Sequence, residues 1–137
     1  MSVSQKIVGD LVANNIEFIT TVPCKQLAGV IDAVEAEPSI HHIPANKEDE
    51  GMGLCAGAWM GGKRPAIIMQ NTAIGVTINT LATLTQFYRM PLPMLISYRG
   101  VSRQLFVDDF HQLAAGILLP VVGNNRNVVL VGLGEEE

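Results

Sequence analysis

The chain has 137 residues, of which 48% are hydrophobic and 16% are charged, and its formal net charge at pH 7 is −4. The length suits one domain that buries its own core, and the negative charge argues against nucleic-acid binding, which normally shows a basic footprint. The sequence has no run of about 18 apolar residues, so no membrane span is predicted. The N-terminal "MSVSQKIVGD" has no apolar signal-peptide core. The apolar composition favours surface reserved for a partner. Cys24 and Cys55 are typical of free thiols in the cytoplasm.

The apolar periodicity switches repeatedly between helix and strand along the chain. The first predicted helix has Val3, Ile7 and Leu11 on one face, with Ser2 or Ser4 as its N-cap. After it the pattern predicts strands at 17–23, 39–45, 64–71, 93–99 and 127–132, and helices at 27–34, 48–60, 75–88 and 110–118. This alternation predicts an α/β fold with an open, mainly parallel sheet that has helices on both faces.

Polar residues gather where the predicted strands end, in "TVPCK", "IPANKED", "MQNTAIG" and "SYRG". Ligands of open parallel sheets bind beyond the carboxyl ends of the strands, so a site is expected there. Gln70 and Asn71 follow the most apolar strand and either satisfy local backbone groups or face a ligand. Cys24 and Lys25 follow the first strand, without a readable catalytic triad.

Three acids, Glu48, Asp49 and Glu50, stand at the start of the helix predicted over 48–60. Carboxylates in a first turn stabilise a helix through its dipole, each by roughly 0.3–1 kcal/mol, and that role accounts for the cluster without any chemistry. Alternatively, Glu48 faces the apolar side of this helix, where partial desolvation suits proton exchange with a bound ring nitrogen. The residues alone leave both interpretations open.

The glycines of the same helix do not have the spacing of a dinucleotide-binding fingerprint. Gly51, Gly53 and Gly57 are more typical of close helix packing, either within the chain or between subunits. His41 and His42 alternate across a strand, so both cannot ligate one metal ion, and no metal site is expected.

A polar segment follows the strand at 93–99 and holds Arg99, Arg103 and His111. It is either a solvated loop or an anion-binding loop, because the guanidinium fork matches carboxylate or sulfonate oxygens.

Together, these segments resemble the pyrimidine-binding (PYR) domain of thiamin diphosphate-dependent 2-oxo acid decarboxylases, in the group that acts on sulfopyruvate and phosphonopyruvate. The family has a Glu nine residues before a helical Gly, as Glu48 and Gly57 are here, and then a strand that ends like "MQNTAIG". "TVPCKQL" is similar to the sulfopyruvate branch, and "SYRG" and "DDFHQLAAG" also resemble family segments. The resemblance covers roughly residues 3–118 and the order and strand context of the motifs agree.

The resemblance implies a flavodoxin-like PYR domain over residues 1–137, incomplete at its C-terminal end. It implies that Glu48 hydrogen-bonds the aminopyrimidine of thiamin diphosphate and exchanges a proton with it. The further implied roles are cofactor contact for Gln70 and Asn71, binding of the substrate anion for Cys24, Lys25, Arg99 and Arg103, and proton relay for His111. The implied reaction converts sulfopyruvate to sulfoacetaldehyde and CO₂, a step of coenzyme M biosynthesis.

The family's "GDG" motif, which binds the diphosphate and Mg²⁺, is absent from the sequence. The resemblance therefore implies a PP-domain beta subunit as partner, together with PYR–PYR self-association. The alternatives are a phosphonopyruvate or other 2-oxo acid decarboxylase subunit, and a PYR-like regulatory module without catalysis. A nucleotide-binding flavodoxin-like domain is disfavoured because no phosphate-binding loop follows the first strand.

Overall fold

The computed structural model of the protein describes residues 1–97 and 130–133. Within these residues five strands form one sheet in the order β2-β1-β3-β4-β5, and every neighbouring pair is parallel. The strands are β1 (Phe18–Thr21), β2 (His41–Pro44), β3 (Pro65–Gln70), β4 (Met94–Ser97) and β5 (Leu130–Leu133). The helices are α1 (Val3–Ala13), α2 (Ala28–Glu35), α3 (Glu48–Met60) and α4 (Ile74–Thr80). This architecture confirms the predicted open parallel α/β sheet.

Short irregular turns flank two of these helices. One 3₁₀ turn (Lys25–Leu27) leads into α2 and another (Asn71–Ala73) leads into α4, while a π-helical segment (Leu81–Gln86) continues α4. The predicted helix at 75–88 is therefore three consecutive helical segments that begin at position 71. The helix predicted at 110–118 lies outside the described residues.

Helix α1 begins where a capping box closes its first turn. The Ser2 side chain accepts a hydrogen bond from the backbone of Gln5, and the Gln5 side chain accepts one from the backbone of Ser2. This reciprocal pair satisfies two of the donors that every helix N-terminus leaves open. Ser2 is thus the N-cap, and Ser4 is not.

Two apolar cores lie on opposite faces of the sheet. On one face Ile19, Ile68 and Leu95 pack with residues of α1 and α2. On the other face Phe18 and Ile67 pack with residues of α3 and α4. Consecutive strand residues alternate between the two cores, because side chains alternate across a strand. The continuous apolar run of β3 is buried on both faces, as its composition predicted.

No helix among the described residues is long and apolar enough to cross a membrane.

Candidate functional site

The carboxyl ends of four described strands meet at one edge of the sheet. The register pairs Thr21 with both Pro44 and Ile68, and Gln70 with Ser97. Two backbone hydrogen bonds extend this alignment past the strand ends, from Val22 N to Ile68 O at 3.1 Å and from Ala45 N to Thr21 O at 2.9 Å. The loops that leave β1, β2 and β3 therefore converge where a ligand of such a sheet binds.

The three acids of α3 divide into two roles. The Glu50 carboxylate accepts a hydrogen bond from the backbone of Asn46 at 3.0 Å, and the Asp49 carboxylate accepts one from the backbone of Glu50 at 3.0 Å. These two acids satisfy open donors at the helix start, where the dipole also favours them. The helix dipole favours all three acids, but only Asp49 and Glu50 also accept backbone hydrogen bonds.

Glu48 is the first residue of α3 and follows the short loop from β2. Its side chain is half-buried, and none of the described residues gives its carboxylate a hydrogen bond or an ion pair. The turn that contains it is closed by a hydrogen bond from Gly51 N to Lys47 O at 3.0 Å. The backbone of Glu48 thus belongs to a hydrogen-bonded helical turn, and its carboxylate is available to accept a hydrogen bond from a ligand.

Cys24 joins the loop after β1 to the end of β4. Its thiol donates to the Gln26 side chain at 3.0 Å, and its sulfur lies 3.5 Å from the Ser97 hydroxyl, which is fully buried. Lys25 is exposed next to it, at the start of the 3₁₀ turn. The sulfur therefore anchors the loop that carries Lys25. Ser97 was missed by the sequence interpretation, because nothing in "LISY" distinguishes it from any strand serine.

Gln70 and Asn71 close β3 and open the turn before α4. Gln70 is half-buried and Asn71 is buried, and both residues take part in interactions within the protein. Their position at the carboxyl edge matches the predicted one, and their contact with a ligand stays a prediction. Arg99, Arg103 and His111 lie outside the described residues.

The two histidines of β2 lie on different sides of the strand, as predicted. His42 Nε2 is 2.8 Å from the Thr21 hydroxyl, and its Nδ1 is 3.8 Å from a carboxylate oxygen of Glu35. Burial lowers the pKa of His42, and the negative charge of Glu35 opposes part of that shift. His41 is exposed and its ring lies 5.8 Å from the ring of Phe18. In residues 1–97 and 130–133 no group of three or more His, Cys, Asp or Glu side chains is arranged to hold a metal ion.

Both cysteines are free and buried, but they lie in different surroundings. Cys55 is fully buried in the core beneath α3, where its thiol donates to the Ala66 carbonyl at 3.5 Å. Burial raises the pKa of the Cys55 thiol to about 12, so it is neutral and unreactive at physiological pH. Only Cys24 lies at the candidate site.

The described residues form an open parallel α/β sheet with the half-buried carboxylate of Glu48 at its carboxyl edge, where ligands of such sheets bind. The model of the family described as "Thiamine pyrophosphate enzyme, N-terminal TPP binding domain" matches residues 1–112. The chain belongs to this family.

Relatives with curated names agree with this assignment. "Sulfopyruvate decarboxylase subunit alpha" of Methanococcus maripaludis is 36% identical over 100 residues, which are 73% of this chain and 60% of that protein. The protein of the same name from Methanothermobacter thermautotrophicus is 46% identical over 85 residues, 62% of this chain and 52% of that protein. "Phosphonopyruvate decarboxylase" of Streptomyces viridochromogenes is 30% identical over 94 residues, 69% of this chain and 24% of that protein. The chain thus spans little more than half the length of the sulfopyruvate decarboxylase relatives.

One solved structure has the same fold. A 2-oxoglutarate:ferredoxin oxidoreductase from Magnetococcus marinus superposes with a TM-score of 0.70, at 15% identity, over 98% of this chain and 29% of that one. At this identity the match concerns the fold alone.

The described residues fit the pyrimidine end of thiamin diphosphate. A ring nitrogen that gains or shares a proton needs a carboxylate with no competing partner, and Glu48 is such a group at the expected edge. Asp49 and Glu50 are exposed to solvent and each already accepts a backbone hydrogen bond, so they suit this role less well.

Proposed function

We propose that this chain is the pyrimidine-binding subunit of a thiamin diphosphate-dependent decarboxylase that converts sulfopyruvate to sulfoacetaldehyde and CO₂, as in coenzyme M biosynthesis. The observation that carries the proposal is Glu48, a half-buried carboxylate without a partner among the described residues, at the carboxyl edge of a family-matched sheet. The names of two relatives at 36% and 46% identity support the substrate. The enzyme class is a carboxy-lyase, and the cytoplasm is its expected location.

Glu48 holds and moves a proton at the aminopyrimidine ring. In the isolated chain its side chain is half-buried, and a subunit packed over the start of α3 would remove its remaining contact with water. A drier carboxylate binds a proton more tightly, which suits sharing that proton with a ring nitrogen near neutral pH. When bound, thiamin diphosphate supplies the electron sink for the pair left behind by CO₂.

The substrate anion needs positive charge near the same edge. Sulfopyruvate carries a carboxylate and a sulfonate, and Lys25 is an exposed cation on the loop that Cys24 anchors. We assign Lys25 to the substrate anion together with Arg99 and Arg103, and proton relay to His111. Gln70 and Asn71 are assigned to the cofactor side of the edge. Guanidinium groups suit this task because they pair with two oxygens of a carboxylate or sulfonate at once.

The partner is a PP-domain beta subunit that binds the diphosphate and Mg²⁺, and PYR–PYR association accompanies it. The layer of α3 and α4 offers suitable apolar surface, since Met60 and Val76 are 59% and 56% exposed. Gly53 and Gly57 on α3 have open space around them, which leaves room for a closely packed element of another subunit.

A phosphonopyruvate decarboxylase subunit is the second candidate function. It is favoured by the relative of that name at 30% identity. The two substrates differ in the charge and geometry of one anionic group, so turnover on each, measured side by side, separates the two candidates. Turnover on neither, with an intact complex, would leave a PYR-like module without catalysis.

Substituting Glu48 by Gln tests the proposed role of the carboxylate. The amide keeps the size of the side chain but cannot take up a proton, so we expect kcat of the complex on sulfopyruvate to fall by at least about 100-fold. The change should leave the thermal unfolding temperature of the complex within a few degrees of the unsubstituted protein.

Glu50→Gln is the matched control in the same helical turn. It weakens one backbone hydrogen bond at the start of α3, and it should therefore lower stability slightly while kcat stays within about twofold. Near-normal turnover by Glu48→Gln would remove Glu48 from the mechanism. An equal loss in both variants would assign the effect to the helix start and not to proton exchange.

A further inference from the structure

We propose that Gly51 is a positioning residue for Glu48: its missing side chain lets the first turn of α3 lie directly against β1 and β3, and so fixes the carboxylate relative to the edge of the sheet. The inference rests on the proposed function of Glu48.

The contacts around Gly51 are tighter than ordinary packing around a side chain. A Cβ built there would lie 3.1 Å from Ile67 Cδ1, 3.3 Å from Thr20 Cγ2 and 3.4 Å from Thr20 Oγ1. Both neighbours are fully buried in the sheet. Because interiors are packed to crystal density, even one added methyl group must displace either these side chains or the helix.

The backbone of Gly51 does not itself require glycine. Gly51 lies within an ordinary helix, at a φ that any residue adopts, so only its close contacts with the sheet disfavour alanine. The hydrogen bond from Gly51 N to Lys47 O closes the turn that contains Glu48. A displacement of Gly51 away from the sheet is therefore passed to Glu48 within a single turn.

The other two glycines within α3, Gly53 and Gly57, differ from Gly51 because they lie in open space. A Cβ at Gly53 or at Gly57 would have nothing within 4 Å in the chain. In an otherwise open helical position alanine is favoured over glycine, because it loses less backbone freedom on folding. Sequence reasoning placed all three glycines in one packing class, whereas only Gly51 is fitted to the chain's own sheet.

The experiment compares Gly51→Ala with Gly9→Ala, at an open helical position on α1, in the complete complex with its diphosphate-binding subunit. For Gly51→Ala we expect kcat to fall roughly tenfold with little change in KM for the 2-oxo acid, since small misplacements of a reacting group cost rate more than binding. A crystal structure of the variant should show the Cα of Glu48 shifted away from β1 by a few tenths of an ångström. Gly9→Ala, on the opposite face of the sheet from α3, should leave both kcat and the Glu48 position unchanged.

Rescue by Ile67→Val distinguishes positioning from general damage to the helix. This change deletes the Cδ1 atom that the new methyl group would meet first, so the double variant should regain most of the lost kcat. If Gly51→Ala alone does not fold, the kcat of the double variant is compared with the kcat of Ile67→Val alone. A folded double variant with α3 in its original place and turnover still low would overturn the inference.

Glu48→Gln, measured in parallel, separates the two proposals. If Glu48→Gln retains turnover, the proposed role of Glu48 fails whatever Gly51 does. If Glu48→Gln is inactive while Gly51→Ala matches Gly9→Ala in rate and in the position of α3, only the role of Gly51 fails.

Discussion

At the scale of single residues, hydrogen-bond partners separate neighbours that the sequence presents as alike. Glu48, Asp49 and Glu50 share a charge and a helical turn, but the backbone amides engage only the last two. Their order in the sequence does not carry this information, because the direction of each carboxylate depends on the path of the loop from β2. The family resemblance selected Glu48, and the geometry gives a physical reason for that choice.

His42 gives a pH dependence whose sign follows from its surroundings. Burial lowers the pKa of His42 below the ordinary value of 6.5. As the pH falls, the unfolded chain therefore takes up this proton at a higher pH than the folded chain does. Below about pH 6.5 the unfolded state therefore binds more protons at this position. The contribution of His42 to the free energy of unfolding falls as the pH falls toward the pKa of the folded state.

We expect the free energy of unfolding in urea to be lower at pH 5.5 than at pH 7.5, and His42→Gln to reduce that difference. Glutamine can still hydrogen-bond the Thr21 hydroxyl but does not titrate. The same pH dependence in the variant would show that other groups cause it.

At the scale of elements, the sequence predicted helices and strands well where local signals mark their ends. The bounds of α3 were predicted to the residue, since acids open it and Gly61 and Gly62 follow it. The π-helical turn after α4 was not predicted. There the Thr85 hydroxyl donates to the Leu81 carbonyl at 2.8 Å, and the Met90 amide donates to the Thr85 carbonyl at 2.8 Å. Such side-chain bonds to the backbone distort a helix without changing its apolar period.

The start of α1 offers a direct test of a local signal. Ser2→Ala removes the hydroxyl that accepts from the Gln5 amide, and we expect it to lower the free energy of unfolding by about 1 kcal/mol in urea titrations. Ser4→Ala is the control, because Ser4 lies within α1 and makes no capping bond, and it should cost less. A larger loss for Ser4→Ala would show that packing next to α2, and not the cap, limits the stability of this helix.

At the scale of the whole molecule, alternation of strands and helices was enough to predict the sheet and its carboxyl edge. It was not enough to predict which residues meet there. Cys24 and Ser97 are 73 positions apart, and they come within 3.5 Å only because β1 and β4 both flank β3. The fit of Gly51 to Ile67 has the same origin, since it depends on the depth at which α3 packs on the sheet. Non-local packing of this kind leaves no periodic trace in a single sequence.

The surface of the α3 and α4 layer leads to the last prediction, which concerns assembly. Met60 on α3 is 59% exposed. Val3 on α1 is 63% exposed on the opposite face of the sheet, so it is a suitable control position for Met60. If the α3 layer binds the partner subunit, Met60→Glu would bury a carboxylate without a counter-charge, a change that costs several kcal/mol when uncompensated. We expect Met60→Glu to raise the Kd of the complex at least about tenfold by size-exclusion chromatography with light scattering, and Val3→Glu to leave it within about twofold. Equal effects of the two substitutions, or an effect of Val3→Glu alone, would place the partner on another surface.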